Sequence, residues 1–146
     1  MSLAERTTGG DLFWYQRSIR RNDNDQSEGD DEVGDVHVLK IFTTVERHKR
    51  TKTPRLEARV TVDVRNRRIE LSYDVASRFY FGGDTELPSD AEVAEFMTDY
   101  GLDYTFGFVR AALVSDTRLF GLPPLMFPVL TLEEAKGHIP PPRRVE

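Results

Sequence analysis

The sequence predicts an α+β fold, and three observations carry that prediction. Leu56, Ala58, Val60, Val62 and Val64 alternate with polar residues, and Ile69, Leu71, Tyr73 and Val75 repeat the pattern after the short link Asn66-Arg67. Period two marks strands with one wet face. Extended runs of this kind come before any helical pattern and follow one another without helical crossovers, which implies an antiparallel sheet. Pro88-Ser89-Asp90 then opens helical spacing, with Ser89 as N-cap and Glu92 as its capping-box partner. Strands first and helices afterwards is the α+β order.

Taken in order, residues 1–10 are small and polar and read as a loose end. Leu12-Phe13-Trp14-Tyr15 begins a first strand that reaches about Arg20. Residues 22–35 form an acidic loop with Asp23, Asp25, Glu28, Asp30, Asp31, Glu32 and Asp35. A calcium-loop reading from Asp23 fails in register, because its sixth position is Glu28 rather than Gly and its twelfth is Gly34 rather than Glu. Residues 36–46, rich in Val, Ile, Phe and Thr, give a second strand, and a basic turn ending at Pro54 leads to the third. The fourth strand continues through Ser77, Phe79 and Phe81 to Gly82-Gly83.

The helix opened by Ser89 runs to about Tyr100 and stops at Gly101. A longer helix follows from about Asp103 to Leu119, with Phe106, Val109, Arg110, Leu113, Val114 and Thr117 on one face, and Gly121 ends it. Pro123 and Pro124 stiffen a crossover, residues 131–136 form a short helix with Thr131 as N-cap, and residues 138–146 are a Pro- and Arg-rich loose tail. The whole is expected to be one domain of 146 residues.

Composition narrows the function. The chain has 20 Lys+Arg against 25 Asp+Glu, a net charge of −5, three His and no Cys, which excludes disulfides, thiol catalysis and Cys-ligated metal. No apolar run is long enough to span a membrane and the N-terminus carries no export signal, so a cytoplasmic location is expected. His37, His48 and His138 accompany no nucleophile pattern, so no enzyme, metal or cofactor is expected. Asp63, Asp74, Glu57 and Glu70 read as partners of Arg59 or Arg65 across strands. One basic tip, Arg47, Lys49, Arg50, Lys52 and Arg55, lacks the aromatic platform of a nucleic-acid site. The remaining signal is apolar: Phe79 and Phe81 at a strand end, and Leu119, Phe120, Leu122, Leu125, Met126 and Phe127 around the Pro-stiffened segment. Such residues either fold onto the sheet as core or line a groove for extended, unfolded chain.

These motifs resemble those of the SecB-like export chaperones. Tyr100 followed by Phe106-Gly107-Phe108-Val109-Arg110 is similar to that family's Tyr, then Phe-Pro-Tyr-x-Arg. Leu122-Pro123-Pro124-Leu125 is similar to its Phe-Pro-x-Leu, with Pro123 thirteen residues after Arg110. The likeness covers residues 36–129. It implies a homotetramer, a dimer of dimers, that holds unfolded polypeptides or preproteins without ATP. It implies client grooves at Phe79, Phe81, Leu119, Phe120, Leu122 and Leu125. Phe106, Gly107, Ala111 and Ser115 would lie at the subunit contact, the small residues letting helices approach. There are departures. Gly107 replaces the usual Pro, Ser72 stands where the family's acid meets the SecA motor, with Glu70 nearby, and Arg17, Arg20 and Arg21 replace acids in the first strand. Holding activity therefore carries over better than motor docking; protein export is the role expected, with service to a toxin–antitoxin system as the alternative. The alternatives outside the family are a β-rich module for a small ligand or folded partner and, less well supported, an enzyme.

Overall fold

The structure, a computed structural model, describes residues 2–21, 36–65, 68–83, 86–122 and 129–145. The acidic loop at 22–35, the Asn66-Arg67 link, and Pro123, Pro124, Leu125, Met126 and Phe127 of the crossover lie outside them. The chain is α+β, as predicted. Strands β1 (Thr7–Arg21), β2 (Val36–Arg47), β3 (Pro54–Arg65) and β4 (Ile69–Phe81) precede the main helices. These are α2 (Asp90–Phe96), a π-turn (Met97–Gly101), α3 (Leu102–Leu119) and α4 (Val129–Lys136).

With a short C-terminal strand β5 (Arg143–Val145), the sheet has the order β1-β4-β3-β2-β5. Strands β2, β3 and β4 form an antiparallel meander, and β1 crosses to pair with β4 instead of forming a hairpin with β2. The long stretch between β1 and β2 frees β1 from a tight turn and permits this Greek-key arrangement.

Both termini depart from the loose ends expected. Helix α1 (Leu3–Arg6) is capped by Ser2 and Glu5 in a capping box and buries Leu3. β1 then starts at Thr7, five residues before the expected Leu12. Gly10 explains why small residues belong there: a Cβ on it would sit 3.2 Å from the Arg78 carbonyl oxygen, so only glycine fits without a shift. At the other end, β5 (Arg143–Val145) pairs in parallel with β2.

The helices cover one face of the sheet. On β3, Leu56, Ala58, Val60, Val62 and Val64 are buried, and on β4 Ile69, Leu71, Tyr73, Val75, Phe79 and Phe81. They meet Phe96, Met97, Leu102, Phe106, Val109 and Leu113 from the helices. Burying each large aliphatic or aromatic side chain stabilises the fold by roughly 1.5–3 kcal/mol. The helical face turned inward differs slightly from the periodicity reading: Ala112 and Asp116 are buried, while Arg110 and Val114 are exposed.

The capping box of Ser89 and Glu92 forms as predicted. The break at Gly101 does not: its backbone is helical (φ −61°, ψ −44°), and the π-turn carries α2 directly into α3. Gly101 acts as a packing residue, since a Cβ on it would lie 2.9 Å from the Met97 sulfur. α4 begins at Val129, so Thr131 sits inside its first turn rather than at its cap.

Candidate functional site

The sheet places apolar hollows along both of its margins. At the β2 margin, Leu39, Ile41 and Phe42 of β2, Ala135 of α4 and Pro140 line a groove of about 490 Å³, with Lys40, Glu134 and His138 as its polar members. β2 is paired with β5 only at Thr44, Val45 and Glu46. Among the described residues no strand pairs with residues 36–43 of β2 on that side. A strand edge of this kind presents backbone N–H and C=O groups that an extended chain can satisfy.

At the opposite margin, Phe79, Phe96, Tyr100 and Tyr104 line a groove of about 450 Å³ beside Gly9 and Gly10 of β1. Phe79 packs edge-to-face on Phe96 and Tyr104, with ring centroids 5.0 and 5.4 Å apart. Tyr104 in turn meets Phe108 at 5.3 Å. Tyr100 and Tyr104 are exposed, so the aromatic row runs from the core to solvent. Asp99 and Asp103 also line this groove.

The residues predicted for client binding separate in space. Phe79 lines the β1-margin groove, whereas Phe81 lies beneath it, buried against Phe96. Leu119 ends α3, and Phe120 and Leu122 follow it, at the far end of that helix. Tyr104, beside Phe79, is fifteen residues from Leu119, about 22 Å along a helix. Leu119 is 79% exposed, Phe120 and Leu122 are half-buried, and Leu122 packs against the core. Leu125 is outside the described residues. Sequence reading missed Leu39, Ile41, Ala135, Tyr100 and Tyr104 as groove residues. The four-residue spacing of Phe96, Tyr100, Tyr104 and Phe108 was a legible signal for the last two.

Of the residues predicted for a subunit contact, Phe106 is a core residue of the chain itself, 1% exposed beneath α3. Gly107, Ala111 and Ser115 are exposed on the outer face of the helix, and nothing lies within 4 Å of a Cβ built on Gly107.

The outer face of the sheet is laced with ion pairs: Asp74 and Glu70 meet Arg59 and Arg65 as expected, whereas Glu57 meets Arg78 and Asp63 meets Ser72. Arg59 bridges Asp74 through two bonds of 2.8 and 2.7 Å, and Arg78 meets Glu57 at 2.9 Å. Arg59 and Arg78 also stack over Tyr15 and Phe13. Glu70 pairs with Arg20 at 2.6 Å and Arg65 at 3.4 Å, and the Ser72 hydroxyl donates to Asp63 at 2.6 Å. At the basic tip, Arg55 is paired with Glu46. Among the described residues no cluster of His, Asp or Glu is placed to hold a metal, and no helix is long and apolar enough to cross a membrane.

A buried polar knot fixes α3 over the sheet. Asp116 accepts two bonds from Arg17 of β1 and one from the Tyr73 hydroxyl of β4, at 3.0, 2.9 and 2.6 Å. Burial raises the Asp116 carboxyl, but the bonds from Arg17 and Tyr73 and the Arg17 charge outweigh it and hold the group below its ordinary range. Burial first, then the bond to Asp116, pushes the Tyr73 phenol above its ordinary value.

No protein-family model matches the chain, and no curated protein matches its sequence. Solved structures do match its fold. The Mycobacterium tuberculosis SecB-like chaperone Rv1957, in complex with a ChAD peptide from the Rv1956 HigA1 antitoxin, aligns with a TM-score of 0.58 at 14% identity, over 87% of this chain and 89% of that one. A protein of unknown function from Streptococcus agalactiae aligns with a TM-score of 0.52 at 12% identity, over 81% of this chain and 93% of that one. The chain therefore has the fold of the SecB-like chaperones.

Proposed function

We propose that this protein is a chaperone that holds non-native polypeptide in extended form, by apolar contact and strand pairing, without nucleotide or metal. The observation that carries this reading is the pairing of an apolar groove with an open strand edge at the β2 margin. Backbone pairing at an edge is blind to sequence, and an apolar groove accepts many side chains, which together suit varied unfolded segments. The aromatic groove under Tyr100 and Tyr104 adds a second surface of the same kind. The peptide held by the M. tuberculosis chaperone of this fold supports the reading.

Within it, the exposed small-residue face of α3 around Gly107, Ala111 and Ser115 serves as the subunit contact of a homotetramer. Its compartment is the cytoplasm. Export of preproteins would call on Glu70 and Ser72 to meet the SecA motor. Both are engaged within the chain, Glu70 with two arginines and Ser72 with Asp63, which favours an antitoxin-type client over motor docking. The test is suppression of aggregation: at one protomer per client, the protein is expected to slow aggregation of a chemically unfolded protein diluted into buffer without ATP. Unchanged aggregation at a severalfold excess would overturn the reading.

A further inference from the structure

The C-terminal strand β5 already occupies part of the open β2 edge, and its chemistry limits how much of that edge it can take. In the parallel register Thr44 faces Arg143, Val45 faces Arg144 and Glu46 faces Val145. Continued backwards, that register sets Pro140, Pro141 and Pro142 against Ile41, Phe42 and Thr43. Proline has no N–H to donate, so the ladder cannot extend past Arg143. The result is a strand of three residues, all exposed, in the weaker of the two ladder types.

Among the described residues of the strand, Arg144 anchors it, while Ile139, four residues before the strand, packs against the core. Arg144 donates to the Pro88 carbonyl oxygen at 2.8 Å and to the Asp90 carboxylate from Nε at 3.2 Å, at the start of α2. A short, exposed, parallel strand held by one surface arginine belongs to the low-stability end of a fold, where local opening is frequent. The tail also partitions the site. Pro140 and Phe42 wall both the β2-margin groove and a neighbouring hollow of about 460 Å³, which Arg59, Pro141 and Arg143 complete. With the tail lifted, the two hollows would join along β2.

We propose that β5 is an exchangeable strap: it holds the end of the β2 edge as an in-chain strand, and an incoming extended polypeptide segment gains the edge by displacing it. This rests on the holding function proposed above and specifies how the site is regulated. The strap shields the edge from pairing with other chains when no client is present, and its release couples client binding to movement of the tail.

The chain has no cysteine, so a cross-link can be placed cleanly. In E46C/V145C the register partners Glu46 and Val145 are replaced, and the strap is closed by disulfide or by a short thiol cross-linker. The probe is a fluorescein-labelled, proline-free apolar peptide read by anisotropy. The closed form is expected to bind it at least tenfold more weakly than the same protein reduced and unlinked. R144A, which frees the anchor, is expected to bind it about threefold more tightly than wild type and to show faster amide exchange at residues 143–145. Equal affinity of closed and open E46C/V145C, or unchanged affinity in R144A, overturns the strap while leaving the holding function standing. Absence of peptide binding by wild type and both variants overturns the two together.

Discussion

The Arg17 guanidinium and the Asp116 carboxylate meet side-on through two bonds, 3.0 and 2.9 Å long, across 99 residues of chain. Arg17 comes from the edge strand β1 and Asp116 from the last turns of α3, so one interaction ties the sheet margin to the helix layer. Asp116 is 6% exposed and also receives the Tyr73 hydroxyl, so removing either partner strands a polar group in the core. Arg17→Ala is expected to destabilise the fold by about 2–3 kcal/mol, the low end for a buried pair because Arg17 is partly exposed, and Asp116→Ala by about 3–5 kcal/mol. Urea unfolding of each variant measures both, and losses below about 0.5 kcal/mol would show that the knot contributes little.

The same group sets an acid dependence. The Asp116 carboxyl is held below its ordinary value in the folded state. A group depressed on folding contributes stability above its unfolded pKa, about 3.9 for Asp. That contribution is lost as pH falls through the lower folded value. Stability of the wild type is therefore expected to fall steeply below about pH 4, and Asp116→Asn to flatten that limb while lowering stability near neutrality. Parallel acid limbs for the two proteins would contradict this assignment.

The sequence reading reached β3, β4 and the Ser89 cap because each depends on local signals: strict alternation, a serine with a glutamate three residues on, and a glycine pair at a strand end. Gly101 was misread because a glycine in a helix looks the same whether it ends the helix or makes room for Met97. The strand from Leu12 onward was legible, but its first five residues, Thr7 to Asp11, were not, because two glycines carry no strand signal and the role of Gly10 lies in its close approach to the Arg78 carbonyl of β4, a contact many residues away. The candidate site was half legible. Phe79 stood out by composition, but Leu39, Ile41 and Ala135 form a groove only because the strand order puts β2 at the margin and brings α4 beside it. Order in a sheet is set by long-range pairing that periodicity does not encode.

Gly107 offers a two-sided prediction. It sits inside α3 with open space around its Cβ position. Gly107→Ala is expected to stabilise the helix by about 0.5–1 kcal/mol. If α3 faces pack closely in a tetramer, the same change should weaken assembly, and Ala111→Arg on the same face should abolish it. Thermal melts and light scattering read the two effects separately, and a variant Ala111→Arg with the mass of the wild-type assembly would remove this face from the contact.

Phe42 tests the groove without touching the core. It is exposed on the edge strand and walls both hollows at the β2 margin. Phe42→Asp is expected to leave the melting temperature within a few degrees of wild type and to weaken binding of an unfolded peptide by about tenfold, about 1.4 kcal/mol. Leu119→Asp, at the exposed end of α3, is the comparison and is expected to change affinity by less than about twofold, well under 1 kcal/mol. The reverse order of effects would move the site to the crossover.

The central claim is that an unfolded chain adds itself to the β2 edge beside the apolar groove. Amide hydrogen exchange of the full protein, with and without a permanently unfolded client, tests it most directly. The account predicts slowed exchange at residues 39–43 and faster exchange at residues 143–145 when client is present. A client that binds without slowing any amide of residues 39–43 would contradict it.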